Sequence, residues 1–312
     1  MKIIKYDSDA RFTEIIKIFE ASRQKYTPKF PIMDEEDAKI LIKTHWPRTI
    51  FERDVLCAVT DEGKTIGMVG LYKKDKDDKW FPMMDVIPEY ETVDLWNEMI
   101  TAILKLAKEQ NAPELYFQAS KNRTTLTQAL AMRNITPHHY VYSLRLKNLE
   151  DIPKVSIPKG ITIESTPTIQ GKNQYISVMN EAYKNVEEWT PDTEKNVIEA
   201  EVMDKKGNFE TMYYLAYEGK TMVGACCVSD HPKESSNRLI RGLGVQSNYQ
   251  KKGIGEALMF SALRDFKTKG RKDVNFWVSG KDTSDIKLPT KFGFQEIPDQ
   301  TTMVYTIKPE DL

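Results

Sequence analysis

The sequence predicts an α/β chain built from two copies of one unit, each alternating short strands with amphipathic helices around its own sheet. Three observations predict it. The tetrapeptide Glu62-Gly-Lys-Thr65 recurs as Glu218-Gly-Lys-Thr221, an offset of 156 in a chain of 312 residues. Both copies lie between strand-like runs (55–59 and 66–72; 213–217 and 222–228), so each reads as a hairpin closed by a turn containing glycine. Further matches continue at an offset of 159: Val86-Ile-Pro-Glu-Tyr90 against Val245-Gln-Ser-Asn-Tyr249, Phe117 against Phe276, and Ser120 against Ser279. A shared order at a near-constant offset marks a duplication, which fixes how the rest of the chain is read.

The elements then follow in pairs. Each half opens with a short strand (2–6; 161–164) and an amphipathic helix (9–23; 170–183). A second helical segment follows (35–44; 192–203), the later one introduced by Thr190-Pro191, a cap followed by proline at the first helical position. After the hairpin come a third strand, a long helix (92–109; 253–268), a further strand (114–118; 274–278), a short helix and a closing pair of strands. Pro153 and Pro158 among charged residues suggest a stiff, solvated connector. The expected division is therefore 1–148, a linker at 149–159, and 160–312.

Composition narrows the function classes. The chain has 45 basic and 46 acidic residues, a balance that argues against a dedicated nucleic-acid binder. No apolar run approaches the ~18 residues needed to cross a bilayer, and the start lacks the features of a signal peptide. Cys57, Cys226 and Cys227, and the histidines at 45, 138, 139 and 231, stand at neither disulfide nor metal spacing. The expectation is a cytoplasmic protein with no metal, no membrane partner and no nucleic-acid partner.

The stretch from Leu243 to Leu258 carries the chemistry. A strand ends near Val245, a short loop follows, and a helix starts at Gly253-Ile-Gly255. A helix start offers unpaired N–H groups and the positive end of the macrodipole. Glycine at 253 and 255 removes side chains that would hold an anion off, while Lys251 and Lys252 add positive charge. Together they are the ingredients of a diphosphate cradle, although Gly-x-Gly before a helix is by itself a weak signal that more often binds no phosphate.

Gln250-Lys-Lys-Gly-Ile-Gly255 resembles the Gln/Arg-x-x-Gly-x-Gly/Ala motif of the GNAT superfamily of N-acetyltransferases. Leu243-Gly-Val245 before it and Lys291-Phe-Gly-Phe294 after it fit the same pattern, and the order of elements agrees over residues 160–308. The resemblance implies tandem GNAT domains, each a mostly antiparallel sheet of six or seven strands flanked by helices and splayed between its fourth and fifth strands. It implies acetyl-CoA as acyl-donor substrate, with its diphosphate on the helix at Gly255. It assigns donor contacts to Leu243, Val245, Gln250, Lys251, Lys252, Gly253, Ile254 and Gly255. A tandem pair with one degenerate loop is similar to the architecture of mycothiol synthase.

The first half departs from the motif. At the offset of 159, Thr92 and Val93 replace the lysines, Asp94 replaces Gly253, and Trp96 replaces Gly255. A carboxylate repels a diphosphate and an indole obstructs it, so the first half is expected to keep the fold without the usual donor loop.

The second half also departs from the family's catalytic pattern. The tyrosine that many members use as general acid falls at Pro289, and an expected asparagine at Asp282. The frequent carboxylate base is replaced by Asn237 and Arg238. Asp230, His231 and Glu234 are the nearest titratable groups, competing with a solvated-loop reading. Cys226 and Cys227 point to opposite faces of a strand and are expected to pack rather than react. The expected reaction is acetyl transfer from acetyl-CoA to a primary amine of a small molecule by direct attack on the thioester. The alternatives are a non-catalytic acyl-CoA sensor and an aminoacyl-tRNA-dependent transferase.

Overall fold

The computed structural model describes residues 1–26, 36, 49–73, 79–185, 191–195, 197–198, 210–231 and 234–308. The second helical segment expected in the first half lies outside these residues except for position 36, and in the second half 192–195 and 197–198 are described and are helical at 194–195 and 197–198. The chain forms two compact units, Met1–Tyr140 with Pro298–Leu312, and Val141–Ile297.

In the first unit, β1 (Lys2–Lys5), β2 (Val55–Val59), β3 (Thr65–Lys73) and β4 (Trp80–Val86) pair antiparallel in sequence order. β5 (Leu115–Ser120) runs parallel to β4 and meets it at one register pair, Trp80 with Leu115. β13 (Thr302–Ile307), from the far end of the chain, completes the sheet antiparallel to β5. Helices α1 (Asp9–Tyr26), α2 (Phe51–Asp54), α3 (Val93–Glu109) and α4 (Thr124–Met132) accompany it. α3 buries Leu95, Trp96, Met99, Ile100, Ile103, Leu104, Leu106 and Ala107, the three-and-four spacing of a helix with one apolar face.

The second unit repeats this order. β7 (Ile161–Thr166), β8 (Met212–Glu218), β9 (Thr221–His231) and β10 (Glu234–Val245) pair antiparallel, and β11 (Asp273–Gly280) runs parallel to β10. β6 (His139–Leu146) follows β11 in the sheet and carries the short β12 (Gln295–Glu296). α5 (Lys172–Tyr183) packs Tyr175, Val178 and Met179 against Tyr213, Leu215, Ala225 and Cys227. α6 (Ile254–Thr268) and α7 (Lys287–Lys291) complete the unit. Gly63 (φ 86°) and Gly219 (φ 59°) sit in the two duplicated hairpin turns, where the left-handed backbone favours glycine. Each sheet is a mixed, mostly antiparallel array of six strands, with β12 as a seventh in the second.

The strand at the end of each half lies in the other half's sheet: β6 belongs to the second unit and β13 to the first. Equivalent strands of a duplicated unit present equivalent hydrogen-bonding edges, so they can exchange without any local sequence change. The closing pair of strands expected in the first half is correspondingly one strand, β6. The connector is not merely solvated either. Leu149 is buried, and Glu150 pairs with Lys267 of α6 at 2.7 Å.

One polar cluster stiffens the second unit. Arg238 on β10 is almost fully buried and donates to the backbone carbonyl of Glu210 at 2.8 Å and to its carboxylate, which also pairs with Lys269 (2.8 Å) and Arg271 (3.3 Å). The Lys269 ammonium, with Arg238 behind it, holds the Glu210 carboxyl down to about 2. A depressed carboxylate contributes stability above its unfolded value near 4.5 and loses it as pH falls toward 2. Glu210→Gln should lower stability at pH 7 by up to about 1 kcal/mol, since Glu210 is partly exposed. The gap from wild type should close between pH about 4.5 and about 2 in thermal melts.

Among the described residues, no helix is long and apolar enough to cross a membrane, and no cluster of three His, Cys, Asp or Glu side chains could hold a metal ion.

Candidate functional site

The fourth and fifth strands of the second unit separate. β10 and β11 pair from Asn237–Asp273 to Ile240–Phe276, and the pairing stops there. β10 continues to Val245 against β9, after a register shift between Ile240 and Gly242. Gln246 N–H donates to Val223 O on β9. By strand alternation, Leu243 and Val245 turn their N–H and C=O groups the other way, into the gap. This is an unpaired strand edge of the kind that an extended amide chain can extend.

The helix α6 begins beside that edge. Its N-cap is Gly253, at φ 81° and ψ 0°, which has no side chain of its own to accept from the first-turn N–H groups. Lys251 is also left-handed, at φ 60°, and such turns before a helix make anion-binding concavities. Gln250 Nε2 donates to Val245 O at 3.1 Å, and the Lys252 ammonium lies 4.8 Å from the centre of the Tyr249 ring. Ile254 is buried as the anchor of the first turn. At Gly255, an added Cβ would meet nothing closer than Leu288 Cδ2 at 3.4 Å and Val245 Cγ2 at 3.7 Å. Neither packing nor a positive φ requires this glycine, although it costs a helix about 1 kcal/mol relative to alanine. Its missing side chain leaves the helix start approachable.

The first unit has the same framework with the gap filled. A 3-10 turn at Pro88–Tyr90 corresponds to one at Ser247–Tyr249. Thr92, not glycine, caps the following helix, and its Oγ1 accepts from Leu95 N–H at 3.1 Å. Trp96 is buried, and its indole N–H donates to Glu91 (3.0 Å) and Thr125 (3.2 Å). The buried Glu91 carboxylate also accepts from Lys25 at 2.9 Å and from the Tyr26 hydroxyl. Burial works against its ionisation, but Tyr26 and Lys25 still hold its carboxyl below the usual range. Met84, the counterpart of Leu243, has its carbonyl bound by Arg123 at 3.2 Å. Arg123 also donates to Asp85 and Ser22, both at 2.5 Å. In the first unit the corresponding strand carbonyl and a first-turn N–H are thus met by Arg123 and by the Thr92 side chain.

The remaining expectations fall out unevenly. Pro289 is buried inside α7, so no side-chain acid stands at that position. In the loop before α7, the Ser284 side chain and its backbone N–H both hydrogen-bond Asp282 and keep its carboxyl low. Arg238 is committed to Glu210. The side chains of Asp230, His231 and Glu234 lie outside the described residues. Cys226 and Cys227 are both buried, and burial pushes the Cys226 thiol far up, so it holds its proton. Cys227 packs in the α5 cluster. Sequence reasoning missed Tyr183, whose hydroxyl accepts from Leu243 N–H at 3.1 Å and donates to Leu243 O at 3.0 Å. The one available signal was its place: Tyr183 ends α5 as Tyr26 ends α1.

Residues 176–294 match the sequence model of the acetyltransferase (GNAT) family. No curated protein sequence matches the chain. Among solved structures, the GCN5-related N-acetyltransferase from Sphaerobacter thermophilus superposes with a TM-score of 0.68 at 14% identity, covering 98% of this chain and 96% of that one. A tandem GNAT protein from the clavulanic acid biosynthesis pathway gives 0.61 at 13% identity, covering 99% and 98%. At these identities the likeness is one of fold alone. The second unit carries the sequence signature of the GNAT acetyltransferases, and the whole chain has the tandem GNAT fold.

Proposed function

We propose that the second unit transfers an acetyl group from acetyl-CoA to a primary amine of a small molecule. The observation that carries this reading is the glycine-capped start of α6 lying beside the stretch of β10 that β11 no longer pairs. The N–H groups of Gly253, Ile254 and Gly255, with Lys251 and Lys252, receive the donor's diphosphate, while Leu243 and Val245 pair with its pantetheine amides. A backbone N–H of β10 stabilises the carbonyl oxygen as charge develops on it. The amine attacks as its neutral form, the new C–N bond forms as the C–S bond breaks, the nitrogen's surplus proton passes to water, and coenzyme A leaves as thiolate. With Pro289 at the position of the usual acid, water or another group must protonate that thiolate.

The same proline favours a second reading, in which the chain binds acyl-CoA without turning it over. Thiol release from acetyl-CoA, followed with a chromogenic disulfide across polyamines, amino acids, aminoglycosides and lysine peptides, separates the two. Amine-dependent release is the expected result. Donor binding with no release above background for any amine would replace transfer by binding alone.

A further inference from the structure

Tyr183 occupies the place where the proposed donor would pair. Leu243 is the last-but-two residue of β10, and its N–H and C=O point into the gap that opens after the Ile240–Phe276 pair. One phenolic oxygen meets both groups, accepting from the N–H at 3.1 Å and donating to the C=O at 3.0 Å. That is the pattern a carbonyl oxygen and an amide N–H of an extended ligand would supply. Next along the same edge, Val245 O is met by Gln250 Nε2 at 3.1 Å. The ends of this edge are thus closed by two side chains, neither of them part of a neighbouring strand.

The first unit shows what a permanent closure looks like. There Arg123 takes Met84 O and is itself fixed by Asp85 and Ser22, and Tyr26 is tied to the buried Glu91. The bond of Tyr183 to Leu243 joins one neutral hydroxyl to one peptide group. Neutral hydrogen bonds are worth about half of charge-assisted ones, so the hydroxyl holds the Leu243 peptide group less firmly than the Arg123 guanidinium holds Met84 O.

We infer that the Tyr183 hydroxyl is an internal stand-in for the acyl donor, which must displace it from Leu243 to bind, so that Tyr183 sets donor affinity. This rests on the reading of β10 and α6 as the donor site. The exchange conserves hydrogen bonds at Leu243, so its cost is the hydroxyl's lost partner, met by water once the side chain turns out. Burial raises the Tyr183 phenol, so it stays protonated and able to donate through the neutral pH range.

The test is Tyr183→Phe, with calorimetric titration of acetyl-CoA into wild type and variant. Removing the competitor should tighten binding about three- to tenfold. Without donor, the variant should melt lower than wild type, and saturating acetyl-CoA should narrow that difference. Hydrogen exchange gives a second readout: the Leu243 amide should be protected in wild type with or without donor, and in the variant only with it. Equal or weaker binding by the variant, or unchanged exchange at Leu243, would overturn the stand-in while leaving the donor site intact. If wild type itself failed to bind acetyl-CoA, the donor reading would fail first and this inference with it.

Discussion

Gly255→Trp is expected to abolish acetyl-CoA binding while leaving a folded protein. The added Cβ is tolerated, with Leu288 Cδ2 at 3.4 Å as its nearest neighbour, so the indole extends from the first turn of α6 over the N–H groups. Hydrogen bonds to a charged group contribute about 1.5–3 kcal/mol each, so losing two costs about 3–6 kcal/mol, or 100-fold or more in affinity. Calorimetric titration should show one site in wild type and none in the variant, with a melting curve confirming the fold. Gly255→Ala should weaken binding far less. Thr92→Ala, which removes the cap of the corresponding helix in the first unit, should cost about 1 kcal/mol of stability and leave binding unchanged. Binding indifferent to Gly255 would remove the cradle from the mechanism.

How far the sequence speaks is clearest where the two units are compared. Duplication, hairpins and long helices were legible because they depend on local patterns: the repeated Glu-Gly-Lys-Thr turn with its left-handed glycine, and the apolar stripe of α3. The loop at Gln250–Gly255 was legible for the same reason. The exchange of β6 and β13 was not, since each strand reads the same in either sheet and only long-range pairing decides between them. Tyr183 escaped because a tyrosine at a helix end usually packs, and its contact with Leu243 spans 60 residues of chain. The filling of the first unit's gap was half legible. Trp96 announced an obstruction, but the indole turns inward to Glu91, and the side chain that takes the Met84 carbonyl is Arg123.

Arg123 therefore carries the other large expected effect. It sits 18% exposed against Asp85 at 13%, with Ser22 donating to the same carboxylate oxygen at 2.6 Å. Arg123→Met removes the cation but leaves a buried carboxylate without its charge partner, an arrangement that costs about 3–5 kcal/mol. Chemical denaturation should show a loss of that size in the transition that reports the first unit. The double variant Arg123→Met with Asp85→Leu should recover most of it, because replacing both partners with apolar groups leaves no uncompensated charge. If the pair only fills the gap, acetyl-CoA should still bind at one site in both variants, with unchanged affinity. A second equivalent bound by the double variant would instead mean that this pair is what keeps the first unit from receiving a donor. The difference between the units would then lie in two side chains in the gap more than in the helix start at Asp94 and Trp96.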